Sequence, residues 1–182
     1  MRKIVAGLFI TLDGVMDSAD KWQFPYFNDE TRKKVLSQMD AADAMLLGRR
    51  TYEEFAAYWP GASADHPFTA RMNNTPKFVV STTLDTVTWQ NSTLITGNIV
   101  EEITRLKQQP GKNIGITASP TLVRSLLRDN LLDELRLLVS PVVAGSGKRL
   151  FPDGSNPVAL TLVDAQTFST GILSLTYQPA VT

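Results

Sequence analysis

The 182-residue sequence has no cysteine, which excludes disulfides, thiolate metal sites and cysteine nucleophiles and fits a reducing, cytoplasmic setting. It has one histidine, His66, so no multi-histidine metal site can be built and no metal is expected; a serine–histidine hydrolase would need His66 as its base. In a polar loop before Pro67, that histidine reads instead as an exposed loop residue. Neither sign of charge is in excess: 18 basic and 18 acidic residues are interspersed, leaving no general electrostatic drive toward nucleic acid or anionic lipid. No apolar run approaches the roughly 18 residues that cross a membrane. The stretch Met1-Arg2-Lys3 followed by Ile4 to Leu12 imitates a signal peptide, but it lacks a small-residue cleavage site and meets Asp13-Gly14, so it reads as a first buried strand. No G-x-G-x-x-G stands between a strand and a helix, so an ordinary Rossmann site is not supported. Gly145-Ser146-Gly147-Lys148 is only loosely like a phosphate loop, with the spacing absent and Arg149 where Ser or Thr belongs, which argues against a nucleoside triphosphatase.

What is present is a composition of 43% hydrophobic residues at single-domain length, enough for one core spanning 1–182. The apolar run Ile4 to Ile10 predicts a strand covered on both faces. Asp29 to Met39 is helical in pattern, Ala44 to Leu47 a short buried strand, and Thr51 to Tyr58 a helix whose Thr51-x-x-Glu54 has capping-box spacing. Ala62 to Thr75 reads as a surface loop leading into a strand at Lys77 to Ser81, with another strand at Leu94 to Thr96. Val100 to Lys107 and Pro120 to Asp129 are helical, separated by a strand at Ile114 to Thr117. This alternation predicts an α/β fold on a mainly parallel sheet. After Asp133 the helices stop: Glu134 to Val143, Val158 to Phe168 and Ile172 to Gln178 read as strands, the last two forming an antiparallel hairpin around Ser169-Thr170-Gly171. No repeat, low-complexity tract or linker argues for a second domain.

Three strand-to-helix turns carry candidate chemistry. Leu47-Gly48-Arg49-Arg50-Thr51 places a glycine and two arginines at a helix N-terminus, where free N–H groups and the positive end of the helix dipole favour an anion. A capped helix with two solvated arginines is an equally good physical reading of the same residues. Ser81, Thr82 and Thr83 close the next strand at the edge where a parallel sheet puts its ligand crevice, or they form a hydroxyl-rich cap. Thr117-Ala118-Ser119-Pro120-Thr121 is the third such turn, and three together suggest a phosphate-rich ligand. Separately, the loop after the first strand gathers Trp22, Phe24, Tyr26 and Phe27, either to wall a flat ring or as a satellite apolar cluster.

Taken together, Thr11-Leu12-Asp13-Gly14, Leu47-Gly48-Arg49-Arg50-Thr51-Tyr52-Glu53, Val80-Ser81-Thr82, Leu122 through Leu127, Asp133-Glu134-Leu135 and Pro141-Val142-Val143-Ala144-Gly145-Ser146-Gly147 resemble the dihydrofolate reductase superfamily. They resemble most the C-terminal reductase domain of bacterial bifunctional riboflavin biosynthesis proteins. That resemblance implies an eight-stranded mixed sheet in a dihydrofolate-reductase-like three-layer fold, often dimeric, with NADPH across the carboxyl edge. It implies a ribosylaminopyrimidine-, pteridine- or folate-like small-molecule substrate, as for 5-amino-6-(5-phosphoribosylamino)uracil reductase. By position, Gly48, Arg49, Arg50 and Thr51 would meet the 2′-phosphate and pyrophosphate region, Ser81, Thr82 and Thr83 the adenosine side, and Ala118, Ser119, Thr121 and Leu122 the pyrophosphate. Asp13, Trp22, Phe27, Gly145 and Gly147 would line the substrate side. The usual fused deaminase is absent from this chain, which is expected to act as a stand-alone domain.

Two departures stand out. Ala118-Ser119 replaces the Gly-Gly or Gly-Ser usual at the third turn, adding Cβ atoms where cofactor and backbone approach. In Trp22-Gln23-Phe24-Pro25, the residue two after the proline is Phe27, where true dihydrofolate reductases carry a carboxylate; dihydrofolate reduction itself is therefore not expected. The main expectation is an NADPH-dependent reductase of a small heterocycle. The rival from another class is a nucleotide- or flavin-binding module of the same fold without turnover, and a weaker third is a dimeric scaffold with a vestigial crevice.

Overall fold

In the central strands, every second residue serves one apolar face. In the computed structural model, which describes residues 1–180, β1 (Ile4–Thr11) sends Ile4, Ala6, Leu8 and Ile10 into the principal core with Ile114 and Ile116 of β5 (Asn113–Thr117). That face is covered by α5 (Ile99–Gln108) through Ile103 and Leu106 and by α6 (Pro120–Arg128) through Leu122, Val123, Leu126 and Leu127. The other face of β2 (Ala42–Gly48) and β3 (Lys77–Val80) packs Met45, Leu47 and Val79 against Tyr52 of α3 (Arg49–Tyr58) and Met72 of α4 (Thr69–Asn74). Over β1, Phe9 and Val35 of α2 (Asp29–Asp40) pack against the Leu138, Phe168 and Ile172 cluster. A short α1 (Ala19–Trp22) lies in the loop after β1.

With β4 (Ser92–Ile95), β6 (Glu134–Ser140), β7 (Leu160–Thr167) and β8 (Leu173–Pro179), the sheet has eight strands in the order β4-β3-β2-β5-β1-β6-β8-β7. Pairings from β4 through β6 are parallel, and β8 runs antiparallel to both β6 and β7. This is the α/β class and hairpin ending that the sequence predicts. The parallel order brings the carboxyl ends of β1, β2, β3 and β5 to one edge, where an open α/β sheet holds its ligand.

Local signals account for the helix starts. Asn28 accepts the Thr31 amide at 3.1 Å and Asn98 the Glu101 amide at 3.4 Å, each satisfying one orphan donor. Acidic residues in the first turn of α5 and basic ones in the last complement its dipole.

Four expectations need correction. Residues 62–75 are not all loop: α4 occupies the second half, with Thr69 and Met72 buried. Six residues are too few to display a period, and packing rather than propensity holds the helix. Lys77 closes it, its Nζ donating to the carbonyls of Met72, Asn73 and Thr75 at 2.7–3.1 Å, while burial pushes its pKa down to about 8. Thr51 does not cap α3, because the helix begins at Arg49 with Gly48 as its N-cap and the Thr51 hydroxyl is engaged elsewhere. The strand from Glu134 ends at Ser140 rather than Val143, since Pro141 has no N–H for the ladder. His66 is half-buried, its ring edge-on to Trp59 at 5.3 Å, with Nδ1 accepting the Phe68 amide.

Candidate functional site

At the carboxyl edge the β2–α3 and β5–α6 turns are stapled together. Ser119 Oγ accepts the Gly48 amide and Thr51 Oγ1 accepts the Ser119 amide, both at 3.1 Å. Thr51 and Ser119 are buried, so their hydroxyls fix the two helix starts relative to each other. Gly48 has φ −77° and ψ 160°, a conformation open to any residue. Ala118 and Ser119 instead have φ 51° and 53°, left-handed values that cost a non-glycine residue about 1–2 kcal/mol each. The turn thus keeps a glycine-type shape without glycine. The first turn of α6 leaves the Thr121 and Leu122 amides without intrahelical acceptors. Leu122's side chain is in the core, so only its backbone can face a ligand.

The two arginines separate. Arg49 is turned along α3, 3.7 Å from Glu53. Arg50 lines a recess at the α6 N-terminus together with Thr121, Arg124, Lys148, Arg149 and Asp153. No ion pair among the described residues engages Arg50, Arg124, Lys148 or Arg149; Arg124 and Arg149 are held by the carbonyls of Leu150 and Asp13. Four cations against one carboxylate, over a helix N-terminus, form a site suited to a multiply charged anion such as a pyrophosphate. Next to it, Ser81 is a buried cap accepting the Thr83 and Leu84 amides at 3.1 and 3.0 Å, while Thr82 and Thr83 are exposed at the end of β3.

Asp13 clamps the neighbouring loop. Its carboxylate accepts the Thr11 hydroxyl at 2.6 Å, the Ala144 amide at 3.0 Å and the Gly145 amide at 2.8 Å, and these bonds lower its pKa to about 2. Ionised at neutral pH, it is a positioning residue that holds the start of the Gly145–Gly147 turn. Gly147 has φ 121°, and a Cβ there would come within 2.8 Å of the Val15 side chain, so glycine is required by both backbone and packing. Met16 donates its amide to the Lys148 carbonyl, tying the clamp to the cationic recess.

Beneath α2 lies a cavity of about 440 Å³, lined mainly by apolar side chains, among them Phe9, Phe27, Met39, Phe55 and Trp59. Toward the carboxyl edge its lining includes Met16, Gln23, Thr117 and Ala118. The turn that borders the cationic recess at Pro120 and Thr121 therefore borders the cavity two residues earlier. Of the loop aromatics only Phe27 lines the cavity. Trp22 is buried with its indole N–H on the Asp17 carbonyl at 3.0 Å, Tyr26 packs against the Leu138, Phe168 and Ile172 cluster, and Phe24 is 70% exposed.

Sequence reasoning missed Arg124, Lys148 and Arg149, and it missed the cavity floor. The floor had a signal: Gly7 and Gly115 interrupt strands that otherwise read as apolar, and a strand glycine marks close approach of something other than its own side chain. The distant cations had none, because only the fold brings them together.

The RibD C-terminal domain family matches residues 2–174. The chain belongs to that family. The uncharacterized protein YyaP of Bacillus subtilis strain 168 is 29% identical over 181 residues, covering 97% of this chain and 94% of its own. The fold is shared with a Thermotoga maritima diaminohydroxyphosphoribosylaminopyrimidine deaminase/5-amino-6-(5-phosphoribosylamino)uracil reductase, at TM-score 0.69 and 16% identity over 98% of this chain and 57% of that one. It is shared also with Enterococcus faecalis dihydrofolate reductase complexed with NADP(H) and RAB-propyl, at TM-score 0.64 and 15% identity over 97% and 96%. Among the described residues no helix is long and apolar enough to cross a membrane, and no group of three or more His, Cys, Asp or Glu residues could hold a metal ion.

Proposed function

We propose that this protein is an NADPH-dependent reductase of a small heterocycle. The observation that carries the reading is the contiguity of two chemically opposite regions at one sheet edge: an unneutralised cationic recess at the α6 N-terminus and an apolar cavity, both bordered by the Thr117–Thr121 turn. A dinucleotide needs charge at its phosphates and a dry wall at its ring, and the residues present fit both. In this reading Arg50, Arg124, Lys148 and Arg149, with the Thr121 and Leu122 amides, hold the phosphates, and Thr82 and Thr83 border the adenosine side. Asp13 positions the Gly145–Gly147 loop, and Phe27 walls the substrate. The bound cofactor would supply a hydride; the protein's part is orientation and exclusion of water. NADPH oxidation followed with a panel of pyrimidines, pteridines, other heterocycles and uncharged carbonyl-bearing ring compounds tests the reading: turnover of at least one supports it, and rejection of all contradicts it.

One observation favours a second reading, a nucleotide- or flavin-binding module without turnover. No Asp, Glu or His lines the cavity, so no side chain there can deliver a proton in the neutral range. NADPH binding without single-turnover oxidation on any member of the panel would select this reading. The protein is further proposed to form homodimers through β7, an edge strand exposed on both faces with Leu162 and Val163 about half-exposed, since self-pairing would cover an otherwise open edge. Leu162→Lys would then yield monomers by light scattering.

A further inference from the structure

The cavity beneath α2 is too long and too neutral for a phosphorylated pyrimidine. On its floor, Asn113, Gly115 and Thr117 of β5 line it in succession, and at about 3.3 Å per residue those positions span roughly 13 Å, more than a single fused bicycle occupies. Its two cations are committed. Arg71 is paired with Asp40, and Arg136 donates to Glu134 at 3.0 and 2.5 Å; Glu134 is held ionised by bonds from Lys3 and Arg136 against the opposing effect of burial. With no carboxylate in the lining, neither a cationic ring nor an amidine-type edge has a counter-charge, and burying either unpaired would be costly.

The polar groups that do face the cavity are neutral. Among the described residues no hydrogen bond engages the side chain of Gln38 or Thr117, and both line the cavity. Gln38 lies over β1 where Gly7 has no side chain: a Cβ on Gly7 would stand 2.9 Å from Gln38 Oε1. The amide thus reaches the sheet surface beside Thr117, the β5 partner of Gly7, with donors and an acceptor to offer. Gly115 leaves space beside it, since a Cβ there meets only Ala42 Cβ at 3.5 Å and the Ala44 carbonyl at 3.8 Å.

We infer that this cavity takes an uncharged, elongated molecule: a flat carbonyl-bearing ring at the Phe27 and Thr117 end, hydrogen-bonded by Gln38, with an apolar tail running over Gly115 toward Asn113. This rests on the reductase reading for its chemistry but not for its binding. Binding can therefore be measured without cofactor, by calorimetry and thermal shift on the full-length protein. The probes are 1,4-naphthoquinones with and without an alkyl chain at C2, and uridine 5′-monophosphate. The tailed naphthoquinone should bind more than tenfold tighter than the untailed one, and uridine monophosphate should not compete with it. Gly115→Val should remove the advantage of the tail while leaving the untailed ligand unaffected; Gln38→Leu should weaken both naphthoquinones severalfold. Tight binding of uridine monophosphate, equal binding of the two naphthoquinones, or indifference to both substitutions would each overturn the inference. NADPH titrated into the same variants should bind as to the unsubstituted protein. Loss of NADPH binding everywhere with retained naphthoquinone binding would sink the reductase reading and leave the cavity assignment standing.

Discussion

The β2–α3 and β5–α6 turns are joined by two hydrogen bonds, yet their backbones stand in opposite conditions. The first has a glycine where its dihedrals do not require one, and a Cβ at Gly48 would meet Ser119 Cβ and Leu122 Cβ at 3.7 and 3.8 Å, ordinary contact distances. The second has Ala118 and Ser119 in left-handed conformations that glycine would adopt at no steric cost. Under the reductase reading proposed above, space at the first turn and strain at the second have one explanation: both backbones would be held in position for a ligand that approaches them, with the buried Thr51 and Ser119 hydroxyls joining the two turns. Strain of this kind persists where the surroundings over-determine it.

Four measurements break or sharpen that contrast, from the largest effect down. Arg50→Ala removes a free cation from the recess between the turns and should weaken NADPH by about 1.5–3 kcal/mol, the usual value of a hydrogen bond to a charged group. Arg49→Ala, which disturbs only an exposed contact with Glu53, should stay within about 0.5 kcal/mol; the reverse ranking in calorimetric titrations would reassign the two arginines. Gly48→Ala should leave the melting temperature near that of the native protein and weaken NADPH on the order of tenfold, about 1.4 kcal/mol. A large drop in melting temperature instead would mean that the glycine serves packing.

Ala118→Gly relieves about 1–2 kcal/mol of left-handed strain but restores about 0.4–1 kcal/mol of unfolded-chain entropy. The variant should therefore be more stable by roughly 0.5–1 kcal/mol in denaturant titrations, and a loss of stability would contradict the strained backbone. The smallest effect is one of pH. Asp13 is held at about 2, below its usual value of 3.8, so the unfolded chain takes up its proton first as pH falls. Its clamp on Ala144 and Gly145 contributes fully above about pH 4 and is lost as pH falls from there toward 2. Amide exchange at Gly145 should accelerate over that range relative to β1, and an unchanged ratio would argue against the clamp.

Much of this was legible beforehand. The alternation of apolar runs with helical patterns specified the parallel core, and the loss of helices after Asp133 specified the hairpin, because both follow from local period. The Gly48 turn and Ala118-Ser119 could be located for the same reason: strand-to-helix turns have local signatures. What could not be read depends on tertiary placement. Arg124 and Lys148 lie 24 residues apart in sequence and meet only because α6 and the loop after β6 converge. Gly7 and Gly115 were read as strand residues, though on neighbouring strands, with Gly7 opposite Thr117 and Gly115 opposite Val5, they line the cavity floor. The short α4 and the burial of Lys77 are likewise products of packing.

The central claim, that the stapled turns and their cations hold a phosphate-rich cofactor, is tested most directly by titrating the protein with NADPH and NADH and following ligand fluorescence and thermal shift. Saturable binding that prefers NADPH and weakens as salt is raised is the result this structure predicts. Absence of binding by either nucleotide would contradict it, and would mean that the Cβ atoms of Ala118 and Ser119 close the approach that the turn's shape preserves.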